Sequence, residues 1–238
     1  MATWHSLTQQ ISRLYSKVFP IPCLLCGLPT EKEALCDGCI NDLPTLQHAC
    51  HLCSTPLSKG QICGRCLISP PIQQQSLSLF IYDSNVKRCI SAFKYHQQIH
   101  LAKIFATLFI KQHKLDSTTL PDCIIPIPLH PKRLAERGYN QSALFCQQLS
   151  QQLHIATHSN YLTRIKNTSS QASLNAKQRR KNMRDAFEVS CEGLPEHVAL
   201  VDDVMTSGAT CSAAANELKK SGVKHIEVWT IARAISHY

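Results

Sequence analysis

Two kinds of hydrophobic pattern alternate along the chain from residue 77 onwards. Short, mainly apolar runs, typical of buried strands, lie at residues 77–82, 123–128, 197–201 and 225–231. Between them, apolar residues recur at helical spacing, which predicts helices at residues 84–92, 99–113, 139–153 and 211–220. Strands that alternate with helices of this length predict an α/β fold with a parallel sheet and right-handed crossovers. A ligand of such a sheet binds beyond the carboxyl ends of its strands.

The first twenty residues carry a separate helical pattern. The apolar positions that share one predicted helix face are Trp4, Leu7, Ile11, Leu14, Tyr15 and Val18. We expect an amphipathic helix over residues 1–20 that docks on the protein's own core, with attachment to a membrane surface as the less favoured alternative. No basic head precedes a long apolar run, and no apolar window reaches the length of a membrane span. We therefore expect a cytoplasmic protein without a membrane span.

The segment at residues 21–68 is marked by regularly spaced cysteines rather than by a hydrophobic pattern. Eight of the 13 cysteines form four C-x-x-C pairs, separated by gaps of nine, ten and nine residues. Two C-x-x-C turns can aim four thiolates at one tetrahedral ion, so eight thiolates suit two structural Zn²⁺ ions. The predicted ligands are Cys23, Cys26, Cys36, Cys39, Cys50, Cys53, Cys63 and Cys66.

Metal binding explains how so small a segment folds. It has few large apolar side chains, so the metal must supply much of the folding free energy. The alternatives are an iron–sulfur cluster and disulfides, but disulfides need an oxidising compartment. Sequential pairing of the knuckles, first with second and third with fourth, is the simplest arrangement, and an interleaved pairing stays open. The Pro- and Gln-rich connector LISPPIQQQ leads to the α/β domain, predicted at residues 75–238.

Composition narrows the class of partner. The chain is 44% hydrophobic and 17% charged, which supports a real core and excludes global disorder. Its formal net charge of +9 favours anionic partners such as nucleic acid or phosphorylated small molecules.

The string HVALVDDVMTSGAT, residues 197–210, carries the clearest chemistry. An apolar strand runs into two carboxylates, Asp202 and Asp203, and a loop of small and hydroxyl residues then leads into a helix. Backbone N–H groups at a helix start hold a phosphate, and Gly208 lets the backbone come close to it. Carboxylates repel that phosphate but accept hydrogen bonds from a sugar diol. The order of acids and phosphate cradle therefore indicates a ribose 5-phosphate group, whereas an Asp-rich turn that only caps a helix is the plainer alternative.

A second segment adds cations suited to a diphosphate. Arg133 and Arg137 are expected in a loop after the strand at residues 123–128, and Gly138 permits an unusual backbone angle there. A guanidinium binds two phosphate oxygens at once. For each arginine, a solvated surface position is the alternative.

These strings resemble known families. Residues 197–210 resemble the phosphoribosyl diphosphate (PRPP) signature of type I phosphoribosyltransferases. Residues 124–142, IIPIPLHPKRLAERGYNQS, are similar to the pyrophosphate loop of the ComF family, whose members carry a cysteine-rich zinc domain before a phosphoribosyltransferase domain. A third segment, residues 162–187, has residues at that family's usual spacing, among them Arg164, Gln171, Leu174, Arg179, Asn182 and Phe187. The resemblance extends from Cys23 to about Ile231.

The third segment is also strongly basic. A flexible loop there, with Arg164, Gln171, Arg179, Arg180 and Asn182, would close over bound phosphates or follow a nucleic-acid backbone, and a plain solvated face is the alternative.

The resemblance implies a Mg²⁺-dependent phosphoribosyltransferase, a pentosyl-transferring glycosyltransferase whose acceptor the sequence does not identify. It implies that Asp202 and Asp203 are catalytic and that PRPP binds Asp202, Asp203, Val204, Met205, Thr206, Ser207, Gly208, Ala209 and Thr210. It further implies a role in competence, with single-stranded DNA and proteins of the DNA-uptake machinery as partners. The rival hypotheses are a non-catalytic, PRPP-sensing protein that binds single-stranded DNA, and a zinc-ribbon adaptor with an inactive domain.

Overall fold

The computed structural model describes residues 21–30, 34–116, 120–166 and 185–235. The predicted N-terminal helix lies outside this part of the chain. So do four predicted residues of the basic loop, namely Gln171, Arg179, Arg180 and Asn182.

The cysteine-rich segment has little regular structure. A two-residue antiparallel pair, β1 (Ile21–Pro22) with β2 (Pro29–Thr30), lies in its first half. Each half has one single-turn helix, which starts within the second C-x-x-C turn of that half: α1 (Asp37–Asn41) and α2 (Gly64–Ile68). Each helix begins directly after a cysteine, Cys36 or Cys63, so its first turn carries a predicted zinc ligand.

The rest of the chain forms the predicted α/β domain. Its elements in chain order are β3 (Gln75–Ile81), α3 (Ser84–Tyr95), α4 (Leu101–His113), β4 (Cys123–Pro126), α5 (Pro131–Arg137), α6 (Gln141–Leu153), β5 (Ala156–Thr157), β6 (Leu162–Arg164), β7 (Phe187–Val189), β8 (His197–Met205), α7 (Ala209–Lys220) and β9 (His225–Arg233). Five strands form a parallel sheet in the order β3-β9-β8-β4-β5. The predicted fold class is confirmed.

The sheet is covered on both faces. Alternate residues of β8 point to opposite sides, so Ala199 and Val201 join one core and Val198 and Leu200 the other. Helices α3, α4 and α6 cover the first face, where Phe93, Phe105, Phe109, Phe145 and Trp229 are fully buried. Helix α7 and the antiparallel pair β6–β7 cover the second.

Two sequence expectations need correction. Arg133 and Arg137 do not lie in a loop, because residues 131–137 form α5, with Pro131 in its first turn and Gly138 as its C-cap. Strand β8 does not end before the acidic pair but runs on to Met205, because β9 continues beside it to Arg233. Asp202 and Asp203 are therefore held by the sheet itself.

Both halves of the cysteine-rich segment pack against the α/β domain. Leu35 and Leu43 of the first half join the core under α3. In the second half, the carbonyl of His51 accepts a hydrogen bond from the Ser76 N–H (2.8 Å), at the start of β3. None of the helices in the described ranges combines the length and the apolarity needed to cross a bilayer.

Candidate functional site

The eight predicted zinc ligands lie in two clusters. One cluster joins Cys23, Cys26, Cys36 and Cys39, and the other joins Cys50, Cys53, Cys63 and Cys66. In each cluster all four sulfurs lie within 4.8 Å of one another. This is the sequential pairing of the knuckles, so the interleaved alternative is wrong.

The sulfur geometry fits zinc. The distances Cys26 Sγ–Cys36 Sγ and Cys53 Sγ–Cys63 Sγ are both 3.7 Å. A tetrahedral Zn²⁺ with sulfur bonds of about 2.3 Å places its ligands about 3.8 Å apart, whereas a disulfide needs about 2.05 Å. Backbone N–H groups also donate to the sulfurs at equivalent places, from Cys36 to Cys23 and from Cys63 to Cys50. The two Cys₄ clusters therefore fit two structural zinc ions.

The second cluster is linked by hydrogen bonds to the sheet. The Thr55 hydroxyl lies 3.2 Å from the Cys53 sulfur and accepts a hydrogen bond from Arg233 Nη2 (3.1 Å). Burial alone would raise the pKa of the Cys53 thiol, but hydrogen bonds from Thr55 and the neighbouring thiols outweigh it and lower that pKa to about 6. Thr55 and Arg233 thus favour the thiolate that binds metal.

Arg233 also supports the turn after β8. Its guanidinium donates to the carbonyl of Cys53 (2.8 Å), and on the other side to the carbonyls of Met205 (2.9 Å) and Thr206. It is only 3% exposed, and burial lowers its pKa. One buried side chain therefore joins the second cluster to the predicted phosphate-binding turn.

The acidic pair takes its partners from two different helices. Ser142 Oγ, at the start of α6, donates to Asp202 Oδ1 (3.1 Å), and the Asp203 N–H donates to the same oxygen (2.9 Å). Lys94 Nζ, at the end of α3, forms an ion pair with Asp203 Oδ1 at 2.7 Å. Hydrogen bonds and an ion pair thus fix the two carboxylates in the structure, and only Val204 and Met205 separate them from the turn that begins at Thr206.

The surroundings of the acidic pair disfavour ionisation of Asp202. Burial and the neighbouring charge of Asp203 raise the pKa of Asp202 to about 7, although Lys94 and Ser142 act in the opposite direction. Burial alone would lower the pKa of Lys94, but its attraction to Asp203 outweighs this effect and raises that pKa. A buried carboxylate beside a second carboxylate favours uptake of a proton or a cation.

The turn at residues 206–208 has the geometry of a helix-start anion site. Gly208 is the N-cap of α7 with φ of +78°, in the left-handed region that favours glycine. Gly208 has no side chain to cap α7, and Ser207 Oγ accepts one long hydrogen bond, from the Ala209 N–H (3.4 Å), so the first backbone N–H groups are oriented toward the turn. Ala209 and Thr210 belong to the first turn of α7. A cleft of about 250 Å³ opens beside Ser207 and Gly208, and Arg65 of the second zinc-ribbon half also lines it.

The predicted diphosphate arginines border a second cavity. It has a volume of about 510 Å³ and is lined by Lys94, Tyr95, Gln97, Arg133, Glu136, Arg137 and Tyr139. Arg137 Nη1 donates to Gln141 Oε1 (2.6 Å), and the guanidinium carbon lies 4.9 Å from the centre of the Tyr95 ring. Gly138 has φ of +83°, the unusual backbone angle expected there. The cavity thus brings Lys94, the partner of Asp203, next to Arg133 and Arg137.

Arg164 is the one predicted basic-loop residue within the described ranges. Its guanidinium carbon lies 5.6 Å from the Phe187 ring centre. Burial and the nearby charge of Arg133 lower its pKa, while Asp202 raises it. These interactions place Arg164 near both the acidic pair and the diphosphate arginines.

Sequence reasoning missed four residues of this region: Lys94, Tyr95, Ser142 and Arg233. Lys94, Tyr95 and Arg233 belong to no motif, and Ser142, the last residue of the string at residues 124–142, carries no predicted role. The only available signal was Arg233, a charge that closes the apolar run IEVWTIAR.

This chain is similar to one family model and to several proteins of known name. Residues 14–67 match the family model of a double zinc ribbon domain. The chain is 36% identical over 228 residues to the "Competence protein F" of Haemophilus influenzae, covering 91% of this chain and 98% of that protein. It is 31% identical over 170 residues to the "DNA utilization protein YhgH" of Escherichia coli K12, covering 70% and 75%. A more distant relative, at 26% over 158 residues, is the "Competence protein ComFC" of Streptococcus pneumoniae, with 66% and 67% covered.

Proposed function

This chain belongs to the competence protein F (ComF) family, and from that premise we propose that it acts in DNA uptake through an α/β domain that binds PRPP with Mg²⁺. The names of the relatives, a competence protein and a DNA utilization protein, support the DNA role. The observation that carries the PRPP site is the junction of β8 and α7. There an acidic pair near the end of a parallel strand is followed, after Val204, Met205 and a three-residue turn, by a helix start whose N-cap, Gly208, has a positive φ.

In this proposal the junction binds the ribose 5-phosphate part of PRPP. Asp202 and Asp203 accept hydrogen bonds from the ribose hydroxyls. The turn and first helical residues, from Thr206 to Thr210, hold the 5-phosphate through backbone N–H groups and hydroxyls. Val204 and Met205 set the approach of the turn, since both are paired with β9.

The diphosphate of PRPP would occupy the neighbouring cavity. Arg133 and Arg137 line it, and Arg137 is oriented by Gln141 and Tyr95. A guanidinium held in this way loses little conformational freedom when it binds phosphate oxygens. Lys94 adds charge at the same wall and positions Asp203.

Mg²⁺ fits the acidic pair. Asp202 and Asp203 offer the oxygen donors that Mg²⁺ prefers, and burial, together with the neighbouring charge of Asp203, raises the pKa of Asp202, so a bound cation would stabilise its ionised form. Bound Mg²⁺ would neutralise charge on the departing diphosphate.

Turnover would be transfer of the phosphoribosyl group. The bond from the anomeric carbon to the diphosphate breaks, a bond to the acceptor forms, and pyrophosphate leaves. Positive charge grows on the sugar in such a step, and Asp202 and Asp203 would stabilise it electrostatically.

Calorimetric titration with PRPP, with and without Mg²⁺, tests the site. We expect Mg²⁺-dependent binding that Asp203→Asn weakens at least about tenfold, the size of one charge-assisted hydrogen bond. Asp42→Asn, an exposed acid in the first zinc-ribbon half, is the matched control and should bind as the wild type does. Absence of PRPP binding in the wild type, or equal binding by Asp203→Asn, would refute the site.

A second candidate is a PRPP-sensing protein that binds single-stranded DNA without turnover, which the net charge of +9 favours. A screen of nucleobases for pyrophosphate release separates the two. The enzyme releases pyrophosphate with one of them and loses that activity in Asp202→Asn. The sensor releases none, and its affinity for an oligonucleotide, unchanged in Asp202→Asn, falls steeply as salt rises.

A further inference from the structure

A polar cluster lies at the amino ends of β8 and β9, at the opposite edge of the sheet from the acidic pair. His197 and His225 are paired neighbours on the two strands, and Glu227 follows His225 by two residues on the same face of β9. The distance from Glu227 Oε1 to His197 Nε2 is 2.9 Å, and to His225 Nε2 it is 3.8 Å. All three ligand atoms lie within 4.8 Å of one another.

The carboxylate of the cluster is buried and oriented. The Glu227 side chain is 5% exposed, and its other oxygen, Oε2, accepts a hydrogen bond from Trp229 Nε1 (2.7 Å). Trp229 is itself fully buried. Oε1 is therefore held facing the two imidazoles, in the way that outer hydrogen bonds commonly orient metal-ligating carboxylates.

Hydrogen bonding alone does not complete this arrangement. The His197–Glu227 distance suits a hydrogen bond, but 3.8 Å from His225 is too long for one. His51 of the second zinc-ribbon half is also close enough to His225 to interact with it electrostatically. The imidazoles of His197 and His225 therefore face the same carboxylate oxygen, Glu227 Oε1, and of these two only His197 is close enough to form a hydrogen bond with it.

We propose that His197, His225 and Glu227 form a third metal site, which takes a divalent transition-metal ion such as Zn²⁺. Two imidazole nitrogens and one carboxylate oxygen suit ions of this class, whereas Mg²⁺ prefers oxygen alone. Tetrahedral zinc with bonds of about 2.05 Å separates its ligands by about 3.3 Å, and the observed 2.9 and 3.8 Å bracket that value. The side chains of His197 and His225 are 28% and 44% exposed, so an ion has a route of entry and a fourth position open to solvent.

The site is distinct from the Cys₄ clusters in ligand type and independent of the proposed PRPP site. An ion there would join β8 to β9 at their first residues. Its absence would leave PRPP binding unchanged, so the two proposals succeed or fail separately.

Cobalt titration of the untagged full-length protein, with its Cys₄ clusters already loaded with zinc, tests the inference. We expect one further equivalent of Co²⁺ to bind, with visible d–d absorption and no thiolate-to-cobalt charge-transfer band. Added Zn²⁺ should displace this ion. A charge-transfer band together with zinc release would instead show exchange at the thiolate clusters and would count against the third site.

Variants assign the bound ion to these residues. His225→Gln, a half-exposed position, and Glu227→Gln should each weaken Co²⁺ binding at least about tenfold, an effect of the size that changes around metal ligands produce. His100→Gln, an exposed histidine before α4, is the matched control. The proposal is overturned if the wild type binds no Co²⁺ beyond its thiolate clusters, or if His225→Gln binds it as tightly as the wild type.

Discussion

The two halves of the double zinc ribbon have the same ligand chemistry. Each ligand of the second cluster follows its counterpart by 27 residues, as Cys50 follows Cys23. In both halves burial opposes ionisation of one thiol, yet hydrogen bonds lower the pKa of Cys23 and of Cys53 to about 6. In both halves the last cysteine, Cys39 or Cys66, has a raised pKa. As metal sites the two clusters are near equivalents.

Their attachments to the α/β domain are different. The first half is joined by Arg88, an exposed side chain that donates to the carbonyls of Leu24 (3.1 Å) and Leu25 (3.4 Å). The second half is joined by the buried Arg233, which also holds the carbonyls of Met205 and Thr206. The metal chemistry is therefore repeated, but within the part of the chain that the structure describes only the second copy is connected to the turn that binds phosphate in the proposed PRPP site.

The largest effects are expected when one zinc is removed at a time, which tests whether the two halves differ in their connection to the turn after β8. Cys53→Ser should lose the second zinc and loosen the turn, since the carbonyl of Cys53 and the Thr55 hydroxyl both hold Arg233. We expect faster backbone hydrogen exchange at residues 205–208 and PRPP binding weakened at least about tenfold.

Cys26→Ser is the matched control in the first half. It should lose the first zinc and leave both the exchange at residues 205–208 and PRPP binding near wild-type values. Elemental analysis checks that each variant has lost one of its two zinc ions. Equal exchange at residues 205–208 in the two variants would show that the halves are not functionally different.

A smaller effect is expected when the linking arginines are changed. Arg233→Met leaves buried carbonyl groups without their charged donor and should lower the free energy of unfolding by about 3 kcal/mol. Arg88→Met removes an exposed donor from carbonyls that water can reach, and should cost less than about 1 kcal/mol. Denaturant unfolding of zinc-loaded protein measures both, and similar losses would contradict the asymmetry.

The sequence predicted those elements whose signal lies in residues close together along the chain. Four strands and four helices pack into the two cores on either side of the sheet. Their burial produces a periodic pattern of apolar residues, from which the sequence predicts them. These elements are β3, β4, β8, β9, α3, α4, α6 and α7. Helix α5 leaves no such trace, because none of its residues is buried and its ends are set by Pro131 and Gly138. The strands β5, β6 and β7 are two or three residues long, and their pairing depends on tertiary contacts.

The same division holds for the site. Asp202 to Thr210 and the eight zinc ligands are contiguous or regularly spaced, so the sequence alone predicts them as candidate binding residues. Lys94 meets Asp203 across 109 residues, and Arg233 meets Cys53 across 180. The fold brings these distant residues into contact, so a single sequence contains no local signal for such pairs.

A pH dependence of stability provides a further test of the comparison. The pKa of Asp202 is raised from its usual 3.8 to about 7, so the folded protein holds a proton there that the unfolded chain releases. The contribution of this group to stability is complete below about pH 4 and is lost as the pH rises toward 7. Asp202→Asn, which cannot ionise, should therefore gain stability relative to wild type between pH 5 and pH 8. Thermal unfolding at the two pH values measures this gain. Arg88→Met, at the first half's attachment, should show no such pH-dependent difference from wild type, and a gain in that variant would place the titrating group elsewhere.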